Sequence, residues 1–255
     1  MSRRFWLIVT PISFIALWFW ASFDLRIVDW RLQTQSIVSD PEVEVVGIAW
    51  KQYGPLWPLL ALRIPIAALG VDVLLHNTSS HAIEVSETYV VLRDTFGREV
   101  KGDLVQRGKY YDNVVIFPGE SRPFWAGNVL YPSYPLLPLT WSEAEVHITI
   151  KQASSGALAA LWRWEEVVVT GAGYDAEGNY IIEGKVPGAY HVLDNGGGIK
   201  PRVVVSFYNA QGEFIASEDF GVSGIVNTFN GTIDGARIPN GPIVSYVIHF
   251  AEAVP

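Results

Sequence analysis

The sequence predicts an all-β protein: two tandem antiparallel β-sandwiches behind one N-terminal transmembrane helix. Three observations carry that expectation. Met1-Ser2-Arg3-Arg4 is followed by a run without charge from Phe5 to Phe23. Beyond Pro41, short runs of β-branched and aromatic residues alternate with turn signals, and long helical periods are almost absent. Those runs also recur in the same order in two stretches of the chain.

The apolar N-terminal run has 19 residues, which at about 1.5 Å each span roughly 28 Å, close to a bilayer core. It reads as a retained signal-anchor because it exceeds the usual signal-peptide core, ends in Trp18, Phe19 and Trp20, and is followed by a poor cleavage site at Ala21-Ser22-Phe23. A cleaved signal peptide, which has the same basic start, is the competing reading. Arg3 and Arg4 hold residues 1–4 in the cytoplasm and place the chain from Asp24 onward outside, as a single-pass protein of the cell membrane. Phe5, Trp6, Phe14, Trp18 and Trp20 are the expected anchor residues, with the indoles near the two interfaces. Pro11 is tolerated within lipid. Without Arg3 and Arg4, the 18 basic residues fall to 16 against 26 acidic ones, a net charge of −10 outside.

Residues 24–41 read as a linker, where Ile27, Trp30 and Leu32 allow a short helical extension that Pro41 stops. A first sandwich is expected over 42–152, with strands near 42–50, 63–76, 85–94, 113–117, 122–130 and 143–151. Residues 153–164 form a second linker, with one or two helical turns between Ala157 and Trp164. A second sandwich is expected over 165–255, with strands near 165–174, 179–186, 200–209, 213–220 and 242–252. Asp94-Thr95-Phe96-Gly97, Asn209-Ala210-Gln211-Gly212 and Asp175-Ala176-Glu177-Gly178-Asn179 read as hairpin turns. The repeat pairs EVEVVGIAW (42–50) with EVVVTGAGY (166–174), VVLRDTFGREV (90–100) with VSFYNAQGEFI (205–215), and EVHITIK (145–151) with VSYVIHF (244–250).

The hairpin segments carry a family pattern. Val205-Ser206-Phe207-Tyr208-Asn209 with Gly212 resembles the namesake motif of the FxLYD-type domain, an immunoglobulin-like sandwich of bacterial and archaeal envelope proteins. Val90-Val91-Leu92-Arg93-Asp94 with Gly97 resembles it less, since Arg93 stands where the family has Tyr. Pro118-Gly119-Glu120 before Pro123-Phe124 is similar to a later family feature, which the second unit lacks. The resemblance covers about half of each unit. It implies a fold and an extracytoplasmic address, and brings no active site with it.

Composition narrows the chemistry. The chain has 255 residues, no Cys and a formal charge of −8. Thiol catalysis, Cys-ligated zinc, iron–sulfur clusters and disulfides are excluded, and the acidic balance argues against a nucleic-acid partner. With 17% charged and 13% aromatic residues, the chain is too apolar for disorder. His76 and His81 flank a turn at a spacing unlike a helical metal-ligand pair. His147 and His249 read as strand histidines, and His191 completes the set. The Asp175–Asn179 turn lacks the ligand pattern of a calcium loop. Asn195-Gly196-Gly197-Gly198 reads as a loop rather than a phosphate cradle. Asn77-Thr78-Ser79 and Asn230-Gly231-Thr232 fit the glycosylation acceptor pattern. No catalytic residue, metal site or cofactor is expected.

Two apolar loops stand out. GPLWPLLALRIP (54–65) and YPSYPLLPLTW (131–141) are rich in proline, which bars both from central strands. They either close their own sandwich or form an exposed patch, centred on Trp57, Leu59, Leu60, Tyr134, Leu136 and Leu137, that meets a partner or lipid. The expected function is that of a membrane-anchored extracytoplasmic binding or scaffolding protein without catalytic activity. Its partners are the bilayer and another membrane or envelope protein. An accessory single-pass subunit of a larger membrane complex is the alternative, with an envelope enzyme behind it.

Overall fold

The computed structural model describes residues 33–38, 41–53, 66–94, 96–97, 99–102, 114–132, 141–189, 201–223, 226–235, 238 and 241–253. These residues are predominantly β-strand, and the sheets are antiparallel apart from one parallel pair. The all-β expectation holds.

The first core lies between two sheets. One consists of β2 (Val43–Tyr53), β3 (Ile66–Asn77) and β7 (Ser121–Pro132), with β3 central. The other runs β1 (Gln33–Val38), β8 (Trp141–Gln152), β4 (Ile83–Asp94), β5 (Glu99–Gly102), with β6 (Val114–Ile116) also paired to β4. Alternate residues point to opposite faces of a strand. Val71, Val73 and Leu75 of β3 therefore face inward together, against Val90 and Leu92 of β4 and Val146, Ile148 and Ile150 of β8.

The second core differs in that its seven strands belong to one continuous sheet. The strands β10 (Val168–Tyr174), β11 (Tyr180–Lys185) and β14 (Thr228–Ile233) pair in that order. Opposite them lie β15 (Ser245–Ala253), β12 (Arg202–Tyr208) and β13 (Phe214–Ser223). Val203, Val205 and Phe207 of β12 pack against Tyr180 and Ile182 of β11 and Phe229 of β14. Phe207 meets the edges of Tyr180 at 5.8 Å and Phe220 at 6.4 Å, a favoured aromatic geometry. β13 bridges the two layers, pairing with β12 along most of its length and with β14 at Val222–Ser223.

The two halves share a pairing order. β3 sits between β2 and β7 as β11 sits between β10 and β14, and β4 sits between β8 and β5 as β12 sits between β15 and β13. Both matched hairpins turn on a glycine in the left-handed region, Gly97 at φ 75° and Gly212 at φ 77°. The Asn209 side chain fixes the second turn by accepting from the Gln211 and Glu213 amides.

Three strands depart from the sequence expectation. Residues 33–38, read as part of a linker, form β1, because the outer edge of β8 offers unpaired backbone groups to any extended segment alongside it. The expected helical turns over Ala157–Trp164 shift and shorten. The helix α1 (Ser155–Ala160) is capped by Ser154 Oγ, which accepts from the Ala157 amide. Trp162–Trp164 instead forms β9, paired to the end of β15. β14, for which the sequence expectation has no strand, carries Gly231 in its interior. There the ring of Phe220 occupies the space a Cβ would fill, 2.1 Å from its ideal position.

Gly231→Ala must displace that ring. The expected result is destabilisation by about 1–3 kcal/mol, the range for overpacking a core, read as a lower urea midpoint with an unchanged slope.

Candidate functional site

Most residues singled out by sequence fall beyond the described part of the chain. Trp57, Leu59, Leu60, Tyr134, Leu136 and Leu137 of the expected apolar patch lie outside the described residues, as do Phe5, Trp6, Phe14, Trp18, Trp20, His191 and the Asn195–Gly198 run. Among the described residues no helix is long and apolar enough to cross a membrane. Asn77 is fully buried, donating to the carbonyls of His81 and Ile116 and accepting from Ser79, so it is closed to glycosylation. Asn230 is exposed on β14. The Asp175–Asn179 segment is the expected hairpin. Asp175 accepts from the Asn179 amide and side chain, and these bonds hold its carboxyl below the usual range. His76 bonds Ser121 Oγ, and His147 stacks on Tyr89 beside Glu145. Among the described residues no three side chains are grouped to hold a metal ion.

The structure gathers its charged chemistry in a seam between the two cores. Lys51 of β2 and Asp72 of β3 form an ion pair at 2.8 Å, with their side chains 7% and 1% exposed. Between them they hold one peptide unit of β13. The Ser217 amide donates to Asp72 Oδ2 at 2.8 Å, and Lys51 Nζ donates to the Ser217 carbonyl. This part of β13 has β12 on one side only, so its outward backbone groups need partners from elsewhere. Glu218 gives Lys51 a second carboxylate at 2.9 Å. Burial pushes the Asp72 carboxyl up, while Lys51 and the Ser217 amide pull it down.

A second cluster lies farther along the seam. Arg122 of β7 pairs with Glu252 of β15 and donates to the Val115 carbonyl. Arg163 of β9 reaches Glu120 at 2.8 Å and the same carbonyl at 3.0 Å. Its guanidinium lies 3.9 Å from the Phe250 ring centroid and 4.5 Å from that of Phe117. Burial lowers the Arg163 pKa, opposed by Glu120. Between the clusters, Ala49 and Leu74 meet Phe214, with Tyr208 alongside. Phe214 fits against Gly47, where any Cβ would sit 2.8 Å from the Phe214 Cβ and 3.0 Å from its ring.

The seam encloses a nucleophile–base contact, Ser206 Oγ to His249 Nε2 at 2.8 Å. Burial brings the imidazole down to about 4, aided by the Arg122 charge and resisted by a hydrogen bond to the Ser121 backbone. A neutral imidazole beside a hydroxyl has the chemistry of a general base. Here the hydroxyl has no exposed surface and its strand is covered by the other unit. The pair joins β12 to β15 and β7.

Sequence reasoning missed this seam, although a signal was present. Lys51 follows the apolar run VVGIAW within β2, and Asp72 is the one charge in LGVDVLL of the neighbouring β3. A lone opposite pair inside apolar runs points to a buried ion pair. No family model, no curated protein and no solved structure matches this chain.

Two measurements test the seam. Lys51→Met leaves a buried carboxylate without its cation and is expected to cost about 3–5 kcal/mol in chemical denaturation. The double variant with Asp72→Leu recovers only part of that, because the Ser217 peptide still lacks both partners. The imidazole gives a pH signature. The folded value of His249 is about 4 against 6.5 unfolded, so the unfolded chain binds the proton more readily. Stability is full above pH 6.5 and declines as pH falls through 4, by about 3 kcal/mol in all. His249→Asn should flatten that part of the stability–pH curve.

Proposed function

We propose that this chain is a membrane-anchored extracytoplasmic scaffolding and binding protein, made of two FxLYD-like immunoglobulin-type sandwiches held outside the cell membrane by residues 5–23. The observation that carries this reading is the seam. Lys51, Asp72, Arg122, Arg163, Glu120 and Glu252 form the contacts between the two cores, and Ser206 and His249 are enclosed with them. Charged side chains placed this way hold two sheet pairs in a fixed relation, as a rigid spacer or platform requires. The repeated strand order supports reading the halves as two copies of one sandwich. The basic start and the uncharged run support the anchor.

Confinement near the bilayer raises the effective concentration of such a platform for membrane neighbours. The function then lies in presenting a surface at a fixed place, without a bond being made or broken.

Detergent phase separation and protease accessibility test the reading together. The intact chain should partition with detergent, and a chain starting at Gln33 should stay in water with an unchanged β-type circular dichroism spectrum. Protease added to whole cells should digest the residues after Asp24. Partition of the intact chain into water, or protection of those residues in intact cells, overturns the proposal.

A further inference from the structure

Two tripeptides of the chain match the acceptor pattern for N-linked sugar, and the fold treats them in opposite ways. Asn77 is fully buried, and its side-chain amide donates to the carbonyls of His81 and Ile116. Asn230-Gly231-Thr232 lies in β14, where burial alternates along the strand. Asn230 and Thr232 are exposed on one face, and Gly231 is buried against Phe220 on the other. The register sets Glu183 of β11 beside Asn230 and Ile181 beside Thr232. Glu183 leans away from β14, with its Oε1 2.8 Å from the ideal Cβ position of Gly171 on β10. On the other side, β13 pairs with β14 at Thr228 and Phe229 and elsewhere with β12. Among the described residues the Asn230–Thr232 stretch is therefore a sheet edge, held by β11 alone.

We infer that Asn230 carries an N-linked glycan and that Asn77 does not. This rests on the extracytoplasmic reading, since such acceptors are modified in exported chains. The donor is an oligosaccharide carried on a lipid phosphate, and an oligosaccharyltransferase makes the transfer. Asn230 Nδ2 forms a bond to the anomeric carbon of the sugar. The bond from that carbon to the lipid phosphate breaks, its electron pair leaves with the phosphate oxygen, and the amide gives up one proton to a base of the transferase. The enzyme must reach the Asn amide and the hydroxyl two residues on. In β14 both stand on the same exposed face, about 7 Å apart along the strand. It must also bend the segment, which only the pairing to β11 opposes, and Gly231 is the residue that bends most freely. A glycan has a use at this place. The unpaired groups of a strand edge invite another chain to pair, and a bulky hydrophilic group beside them blocks it. A sugar on Asn77 would instead break the hydrogen bonds that bury it.

The full chain would be purified in detergent from the membranes of the cells that produce it and digested with trypsin, which leaves residues 203–237 as one peptide. The expected result is a mass shift of that peptide by an oligosaccharide, placed on Asn230 by electron-transfer fragmentation, with Asn77 bare. Thr232→Ser should keep the shift. Thr232→Val and Asn230→Gln should lose it while the β-type circular dichroism spectrum stays unchanged. A bare Asn230, in a chain whose residues after Asp24 are digested by protease in whole cells, overturns the glycosylation and leaves the address standing. Sugar on Asn77, or a shift that survives Thr232→Val, also overturns it. Protection of those residues in whole cells overturns the extracytoplasmic reading and this site with it.

Discussion

One peptide unit holds the two halves of the molecule in register. The Ser217 amide and carbonyl face away from β12, and the Lys51–Asp72 pair on the neighbouring core receives both. An unpaired buried backbone group costs about as much as a lost hydrogen bond, and an unpaired buried charge costs more. Each partner is therefore unfavourable alone and acceptable only in the presence of the others. That mutual dependence favours a single docking arrangement.

The rest of the seam follows the same rule with different chemistry. Arg122 and Glu252 neutralise one another, and Arg163 lies over Phe250 while pairing with Glu120. The apolar part of the contact has Phe214 pressed between Gly47 and the Ala49–Leu74 surface. Apolar contact tolerates sliding, whereas directional bonds do not. Placed ion pairs in such a contact therefore specify geometry more than they add stability, since desolvation offsets much of the Coulomb attraction. Some buried atoms go without partners among the described residues, including Glu252 Oε2 and the Nε atoms of Arg122 and Arg163. The second cluster is thus the less fully satisfied of the two, and the Ser217 cluster holds the register more firmly.

A fixed relation between two sheet pairs fits the proposed role of a platform at the membrane. A protein that presents surfaces from a fixed anchor gains when its parts do not reorient, because ordering them at the moment of binding costs free energy. The enclosed Ser206–His249 pair fits the same picture, since its hydrogen bond ties two strands of one sheet beneath the other unit.

The sequence by itself determined the all-β class, the hairpins at Gly97, Gly178 and Gly212, and the order of matching strands. These are local properties. Alternation shows which face of a strand is apolar, and Asp, Asn and Gly show where the chain turns. It pointed to β10 and β12 through runs such as VVVSFY, and it missed β1, β9 and β14. Gln33–Val38 and Trp162–Trp164 become strands because β8 and β15 offer them edges, and Thr228–Ile233 keeps a glycine because Phe220 needs its space. Only the tertiary structure decided that Lys51 would meet Asp72 and Ser217, residues 21 and 166 positions away. The meeting with Ser217 depends on the docking of two cores, and no local preference of a strand encodes a partner that distant.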